Sequence, residues 1–231
     1  STGLWQRGDK EKSRINVKLK SEEETEINGM GPDIRPEDVE ALFEKLNRLG
    51  SGDVLVLSGS IPAAVGNDIY RRIMEQLKDR GVCIAVDAER DLLTEVLPLK
   101  PFLIKPNNHE LGQIFGKELK TEKEIIDGAM SLKDRGAVNV LVSMAKDGAI
   151  LVDENGKVHR LGVCRGTVKN SVGAGDSMVA GFLAGYLKTG DYDYALRLGT
   201  ASGGATAFSD GMGSRKMIME LFAQLTENGG K

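Results

Sequence analysis

Apolar residues recur along this chain in two rhythms, at every second position over short runs and at every third or fourth over longer ones. Between Arg14 and Lys20, Ile15, Val17 and Leu19 are separated by Asn16 and Lys18, which predicts a strand with one buried and one polar face. The acidic run Glu22-Glu23-Glu24 interrupts it as a solvated hairpin tip would, before Thr25 to Asn28 resume. Gly29-Met30-Gly31-Pro32-Asp33 is turn chemistry and marks a lobe boundary. The expected organisation is a poorly ordered end over 1–12, a small β element over 13–30 and a larger unit over 31–231.

Beyond the boundary the helical and strand rhythms alternate. Pro36 suits the first turn of a helix whose apolar face is Val39, Leu42, Phe43, Leu46 and Leu49, stopped by Gly50. A short apolar strand follows over Asp53 to Leu57. A second helix groups Ile69, Ile73, Met74 and Leu77 and ends at Gly81, ahead of the buried strand Val82 to Val86. Thr121 with Glu124 forms a capping box before Ile125, Ile126, Ala129, Met130 and Leu132, and Val138 to Val142 is again a strand. Repeated strand–helix–strand units need right-handed crossovers, so the fold class is α/β, a mostly parallel sheet with helices on both faces. Ala149 to Val152, the Asn155-Gly156 turn and Val158 to Val163 predict an antiparallel hairpin near the sheet edge. Ser177 to Phe208 is helical in pattern but rich in Gly and Ala, which suits either tight packing of two helices or a flat ligand pocket. A last helix, Arg215 to Leu225, reads as structural.

Composition narrows the function. With 31 Lys and Arg against 34 Asp and Glu, the chain has no basic excess for a nucleic-acid backbone. Its two cysteines, Cys83 and Cys164, cannot build a disulfide framework or a CxxC site. No stretch approaches the ~20 apolar residues of a membrane span, and no signal pattern opens the chain. The expectation is a cytoplasmic protein that binds neither nucleic acid nor membrane.

The most informative run is Asn170-Ser171-Val172-Gly173-Ala174-Gly175-Asp176-Ser177, directly followed by an apolar helix. A Gly-Ala-Gly turn opening a helix leaves amides without intrahelical partners at the positive end of the helix dipole, which makes an anion site. A P-loop would need Lys, and a dinucleotide loop would need Gly where Met178 stands, so neither fits. Asp176 beside such a site would repel a resident phosphate. The task that suits it is accepting a proton from a hydroxyl that attacks phosphorus, although an isolated acid in a glycine turn is ordinarily a cap.

Lys105-Pro106-Asn107-Asn108-His109-Glu110 stands where a strand ends and a helix begins, the position at which ligands gather in open parallel sheets. Asn107 and Glu110 bring an amide oxygen and a carboxylate together. That pair could organise a hydrated Mg2+ or could simply cap the helix, and both readings stand. The turn Ser143-Met144-Ala145-Lys146-Asp147-Gly148 follows another strand. Arg14 and Asn16 fall on the polar face of the first strand, where a guanidinium could grip a phosphate, and Ser60 lies at a further strand end.

Val172 to Ser177 with its small-residue helix resembles the C-terminal signature of the ribokinase-like (PfkB) sugar kinases, and Asn107-x-x-Glu110 is similar to their NxxE magnesium motif. Within that family, Arg14 to Lys20, Glu23 to Asn28 and Lys105 to Leu111 are most similar to the bacterial 1-phosphofructokinases, with tagatose-6-phosphate kinases as the neighbouring alternative. The resemblance covers about Arg14 to the C-terminus. It implies ATP-dependent phosphorylation of fructose 1-phosphate to fructose 1,6-bisphosphate. Asp176 would be the base and the Gly173, Ala174 and Gly175 amides the hole for the transferring group. Asn107 and Glu110 would organise Mg2+ through water. Lys105 and the turn Ser143, Met144, Ala145, Lys146, Asp147 and Gly148 would line the ATP site, with the helix from Ala201 shaping the adenine pocket. Arg14, Asn16 and Ser60 would meet the sugar phosphate. The β element before Gly29 resembles part of the family's lid, which brings the expectation of a homodimer through the lid strands.

The family's Gly-Gly acceptor motif and its sugar-gripping Asp are not found before Arg14, so the chain reads as N-terminally incomplete, with part of the acceptor site missing and a sheet edge exposed. That departure motivates a rival, a non-catalytic nucleotide-binding module. A second rival, an esterase built on Gly175-Asp176-Ser177, lacks a suitable base, since the histidines are His109 and His159.

Overall fold

A computed structural model describes the backbone of residues 16–20, 24–28, 34–62 and 65–228, with side chains over 34–62 and 65–226. Strands β1 (Asn16–Lys20) and β2 (Glu24–Asn28) pair antiparallel, with Asn16 opposite Asn28 and Lys20 opposite Glu24. The remainder is one six-stranded sheet with helices on both faces. The chain runs through α1 (Pro36–Leu46), β3 (Val54–Ser58), α2 (Ile69–Leu77), β4 (Cys83–Asp87), α3 (Arg90–Val96), β5 (Leu103–Ile104) and α4 (Asn108–Ile114). It continues through α5 (Glu122–Asp134), β6 (Asn139–Ser143), β7 (Ala149–Val152), β8 (Val158–Leu161), α6 (Ala174–Thr189), α7 (Tyr192–Ala207) and α8 (Arg215–Asn228).

The strand order is β3-β4-β5-β6-β7-β8, parallel as far as β6 and antiparallel from there to the edge. Because the parallel strands add in one direction, crossovers of one hand put their helices on one face. Period-two side chains serve both faces. Ile84, Val86, Ile104, Val140, Val142, Ile150 and Val152 pack under α2 to α5, while Ala85, Leu103, Leu141, Ala149 and Leu151 pack under α6 and α7.

Two expectations need revision. Leu42 is 40% exposed and lies off the face of α1 that packs Val39, Phe43 and Leu46, because position 42 falls beyond the narrow stripe that a short helix buries. The long helical run is two helices. Gly190, at φ +67, ends α6 in the left-handed conformation, and the Asp191 carboxylate caps α7 by accepting the Tyr194 amide at 2.8 Å. Their small residues serve close packing: a Cβ on Gly199 would stand 2.9 Å from the Met178 carbonyl, and one on Gly181 2.8 Å from the Leu198 carbonyl. The Thr121–Glu124 capping box opens α5, and the β7–β8 hairpin turns through Gly156 at φ +78. Cys83 is half-buried and Cys164 buried, and burial pushes both thiols up to about 11.

The edge hairpin is locked by a buried histidine. His159 Nε2 lies 2.9 Å from Asp153 Oδ2 and Nδ1 2.7 Å from Asp193 Oδ1 at the start of α7, so both contacts are hydrogen bonds when both ring nitrogens carry protons. Burial works to raise Asp153, yet His159 and the Lys157 and Asn155 amides hold its carboxyl below the ordinary value; His159 and Lys157 do the same for Asp193 against its burial. Depressed carboxyls contribute stability that is present above their unfolded value, near ~3.9, and lost as pH falls through the folded one. The melting temperature is therefore expected to fall on acidification below about pH 4, and His159→Gln should flatten that slope. Melting curves of the two proteins with an identical acid slope would contradict this.

Candidate active site

Strands β4, β5 and β6 end at one edge of the sheet, and each delivers a polar residue there. Asp87 closes β4, Lys105 follows β5 and Ser143 closes β6. The residues before them, Ile84 to Val86, Leu103, Ile104 and Val140 to Val142, are buried, so the polar group that follows emerges at the rim. This is the carboxyl edge, where strand-to-helix turns leave a crevice for ligands. A parallel bridge joins Asn107 to Ser143, and the Ser143 amide donates to the Pro106 carbonyl at 3.2 Å.

The glycine turn opens α6 against this rim. Gly173 is the N-cap, at φ +77, a conformation that disfavours side chains, and no side chain caps the helix. The Ala174 amide is spent on the Ser171 carbonyl (3.1 Å) and the Ser177 amide on that of Gly173 (2.9 Å). The amides of Gly175 and Asp176 lack an intrahelical acceptor and stand at the positive end of the helix dipole. Asp176 occupies the third helical position rather than the cap, with its side chain exposed. From behind, the Ser177 hydroxyl bonds that of Thr206 at 2.8 Å, and the Lys169 and Asn170 amides donate to the Ala207 carbonyl.

Lys105 links rim and turn. It is 7% exposed, its Nζ lies 3.2 Å from Asp87 Oδ1, and a Cβ on Gly175 would stand 3.2 Å from that same Nζ. The ammonium thus rests on the glycine turn, close enough that a methyl group at 175 would have to push it away by a few tenths of an ångström. Burial pushes the Asp87 carboxyl up against the pull of Lys105, and Asp176 and Glu89 push the same way. Burial likewise raises Glu110, opposed by the Asn107 amide and Lys105 and reinforced by Asp87 and Glu89. Two carboxylates, Asp87 and Glu110, thus share the field of one buried ammonium.

Asn107 and Glu110 form a reciprocal capping box on α4. Asn107 Oδ1 accepts the His109 and Glu110 amides (2.9 and 2.8 Å), and Glu110 Oε2 accepts the Asn107 amide (2.8 Å). Met144 follows β6, its amide donating to the Gly148 carbonyl at 2.9 Å; Ala145 sits at φ +47, and Lys146 and Asp147 are exposed. Ser60 is exposed just beyond β3, in a turn tied to the rim by the Gly59 amide, which donates to the Asp87 carbonyl at 3.2 Å, and by the Tyr70 hydroxyl, which donates to the Ser58 carbonyl at 2.7 Å. Arg14 lies outside the described residues, and Asn16 is described in backbone only. The structure therefore brings Lys105, Asn107, Glu110, Ser143 and the Gly173–Asp176 turn to one edge. Asp87 escaped the sequence reading, although an acid closing the apolar run Cys83 to Val86 was a visible signal.

The family model for pfkB family carbohydrate kinases matches residues 6–217. The chain is 45% identical over 213 residues to a 1-phosphofructokinase of Bacillus subtilis, spanning 92% of this chain and 70% of that protein. It is 34% identical over 214 residues to a D-tagatose-1-phosphate kinase of Bacillus licheniformis, again over 92% and 70%. Among solved structures, phosphofructokinase-2 of Escherichia coli in complex with potassium superimposes with a TM-score of 0.85 at 25% identity, over 94% of this chain and 72% of that one.

Proposed function

Because the chain belongs to the pfkB family of carbohydrate kinases, which makes it an ATP-dependent sugar kinase, we propose that it transfers the γ-phosphoryl group of ATP to fructose 1-phosphate and forms fructose 1,6-bisphosphate. The observation that carries this reading is the seat of the Lys105 ammonium on the Gly175 turn, next to Asp176, at the carboxyl edge of the parallel strands. The acceptor hydroxyl oxygen bonds to the γ-phosphorus, the bond from that phosphorus to the bridging oxygen breaks, and its electron pair stays on the β-phosphate of ADP. The hydroxyl proton goes to Asp176. Charge developing on the moving group is met by Lys105 and by the amides of Gly175 and Asp176; the Ala174 amide, expected in the hole, is spent on the Ser171 carbonyl. Asp176 fits the task because it is exposed, stands within the first turn and is not used as the cap.

The residues fit a hydrated Mg2+. The capping box takes up Asn107 Oδ1 and Glu110 Oε2, and among the described residues no three His, Cys, Asp or Glu side chains converge on one metal position, so water and phosphate would fill most of its shell, with the Glu110 carboxylate holding that water. Bound there, the ion would neutralise phosphate charge. Glu110→Gln separates this role from capping. Glutamine can still accept the Asn107 amide, so stability should change by only a few tenths of a kcal/mol, while the Mg2+ concentration for half-maximal turnover rises several-fold. An unchanged metal titration would leave the pair as a cap alone.

The turn from Ser143 to Gly148 would line the nucleotide, and Arg14 with Ser60 would meet the acceptor's phosphate. A second sugar is favoured by the Bacillus licheniformis relative, so tagatose 1-phosphate, the C4 epimer, is the alternative acceptor. The experiment is ADP release from ATP and Mg2+ with each sugar in turn. Release with fructose 1-phosphate supports the reading, faster release with tagatose 1-phosphate replaces the acceptor, and none with either, despite ATP binding, leaves the nucleotide-binding module.

A further inference from the structure

We propose that Asp87 is a positioning residue for the transfer step: it fixes the Lys105 ammonium on the Gly175 turn, so that charge building on the moving phosphoryl group meets a cation already in place. The inference rests on the kinase reading above. Asp87 is itself carried by a rigid element, being the last residue of β4, paired in register with Ser58, and its carbonyl accepts the Gly59 amide at 3.2 Å. Its carboxylate lies 3.2 Å from an ammonium whose side chain is 8% exposed, and that ammonium stands 3.2 Å from the place a Gly175 Cβ would take. A buried ion pair adds little to folding compared with an apolar pair of the same shape, whereas a fixed charge aimed at a reacting group adds much to a rate. Without Asp87 the ammonium has other carboxylates within its field. Glu110 already feels Lys105, and Asp176 is close enough to feel Asp87. Capture by Asp176 would block the base, and Asp87 prevents it by offering the nearer and better-buried partner.

The test compares the unaltered protein with Asp87→Asn, Asp87→Glu and the double variant Asp87→Asn with Lys105→Met, measuring kcat, KM for ATP and thermal melting. Asp87→Asn is expected to lower kcat about 100-fold and to leave KM for ATP within about threefold. Asp87→Glu, which keeps the charge on a longer arm, should regain about tenfold of that loss. The double variant holds no unpaired buried charge, so it should melt close to the unaltered protein yet remain as slow as Asp87→Asn. Recovery of kcat together with stability in the double variant would overturn the role, since a purely structural pair behaves that way. If Asp87→Asn does not fold, Asp87→Glu decides: lowered kcat at constant KM supports the role, and kcat equal to that of the unaltered protein overturns it. An active unaltered protein matched by Asp87→Asn would overturn this inference alone. An unaltered protein that transfers no phosphate to either sugar would overturn the kinase reading and this inference with it.

Discussion

Asp176→Asn is expected to lower turnover with ATP and fructose 1-phosphate by about 10³-fold while ATP affinity stays within a few-fold. Asparagine keeps the size and polarity of the side chain and removes its ability to accept a proton. The amides of Gly175 and Asp176 and the Lys105 ammonium, which would face the nucleotide, belong to other atoms and remain. Loss of binding and loss of turnover should therefore separate. Steady-state kinetics beside calorimetric titration of ATP and Mg2+ reads both. Retained turnover with weakened ATP binding would move Asp176 out of the role of base and into nucleotide recognition.

The second large effect concerns the fold that carries the turn from Ser143 to Gly148. Gly148 sits at φ +92, and a Cβ there would stand 2.1 Å from the Leu161 carbonyl oxygen, with Gly162 backbone atoms at 3.0 Å. Both obstacles are backbone of the neighbouring strand end, so neither can swing aside. Gly148→Ala is expected to cost about 3 kcal/mol or more, from backbone strain and overpacking together. Gly156 provides the comparison: it too has positive φ, +78, but nothing within 4 Å of a Cβ. Gly156→Ala should cost about 1 kcal/mol, the conformational part alone. Urea denaturation of both variants checks this, and equal losses would mean that the contact with Leu161 is unimportant.

Much of the architecture was legible because strong periodicity and turn chemistry agreed. The α2 face, the Thr121–Glu124 cap and the β7–β8 hairpin all follow from local pattern. What was hidden depends on partners distant in sequence. β5 is two residues long, too short to carry a period, and exists because β4 and β6 flank it. α3, seven residues ahead of Pro98, gave no amphipathic window long enough to read. The break between α6 and α7 was signalled by Gly190-Asp191 but masked by the helix-compatible residues on either side. In the site, Lys105, Asn107 and the glycine turn announced themselves through local spacing. The Asp87–Lys105 pair did not, since only the sheet brings residue 87 beside residue 105.

The placement of the glycine turn at the head of α6 has a consequence for biosynthesis. The floor of the crevice, from Asp87 to Ser143, is translated well before the turn that completes it, and that turn is held by Thr206 and Ala207 at the far end of α7. In a nascent polypeptide still tethered to the ribosome, the sheet and the helices on one side emerge first, and the other side waits for α6 and α7. The glycine turn thus reaches its seat only once α7 has been made, because its contacts are with Thr206 and Ala207.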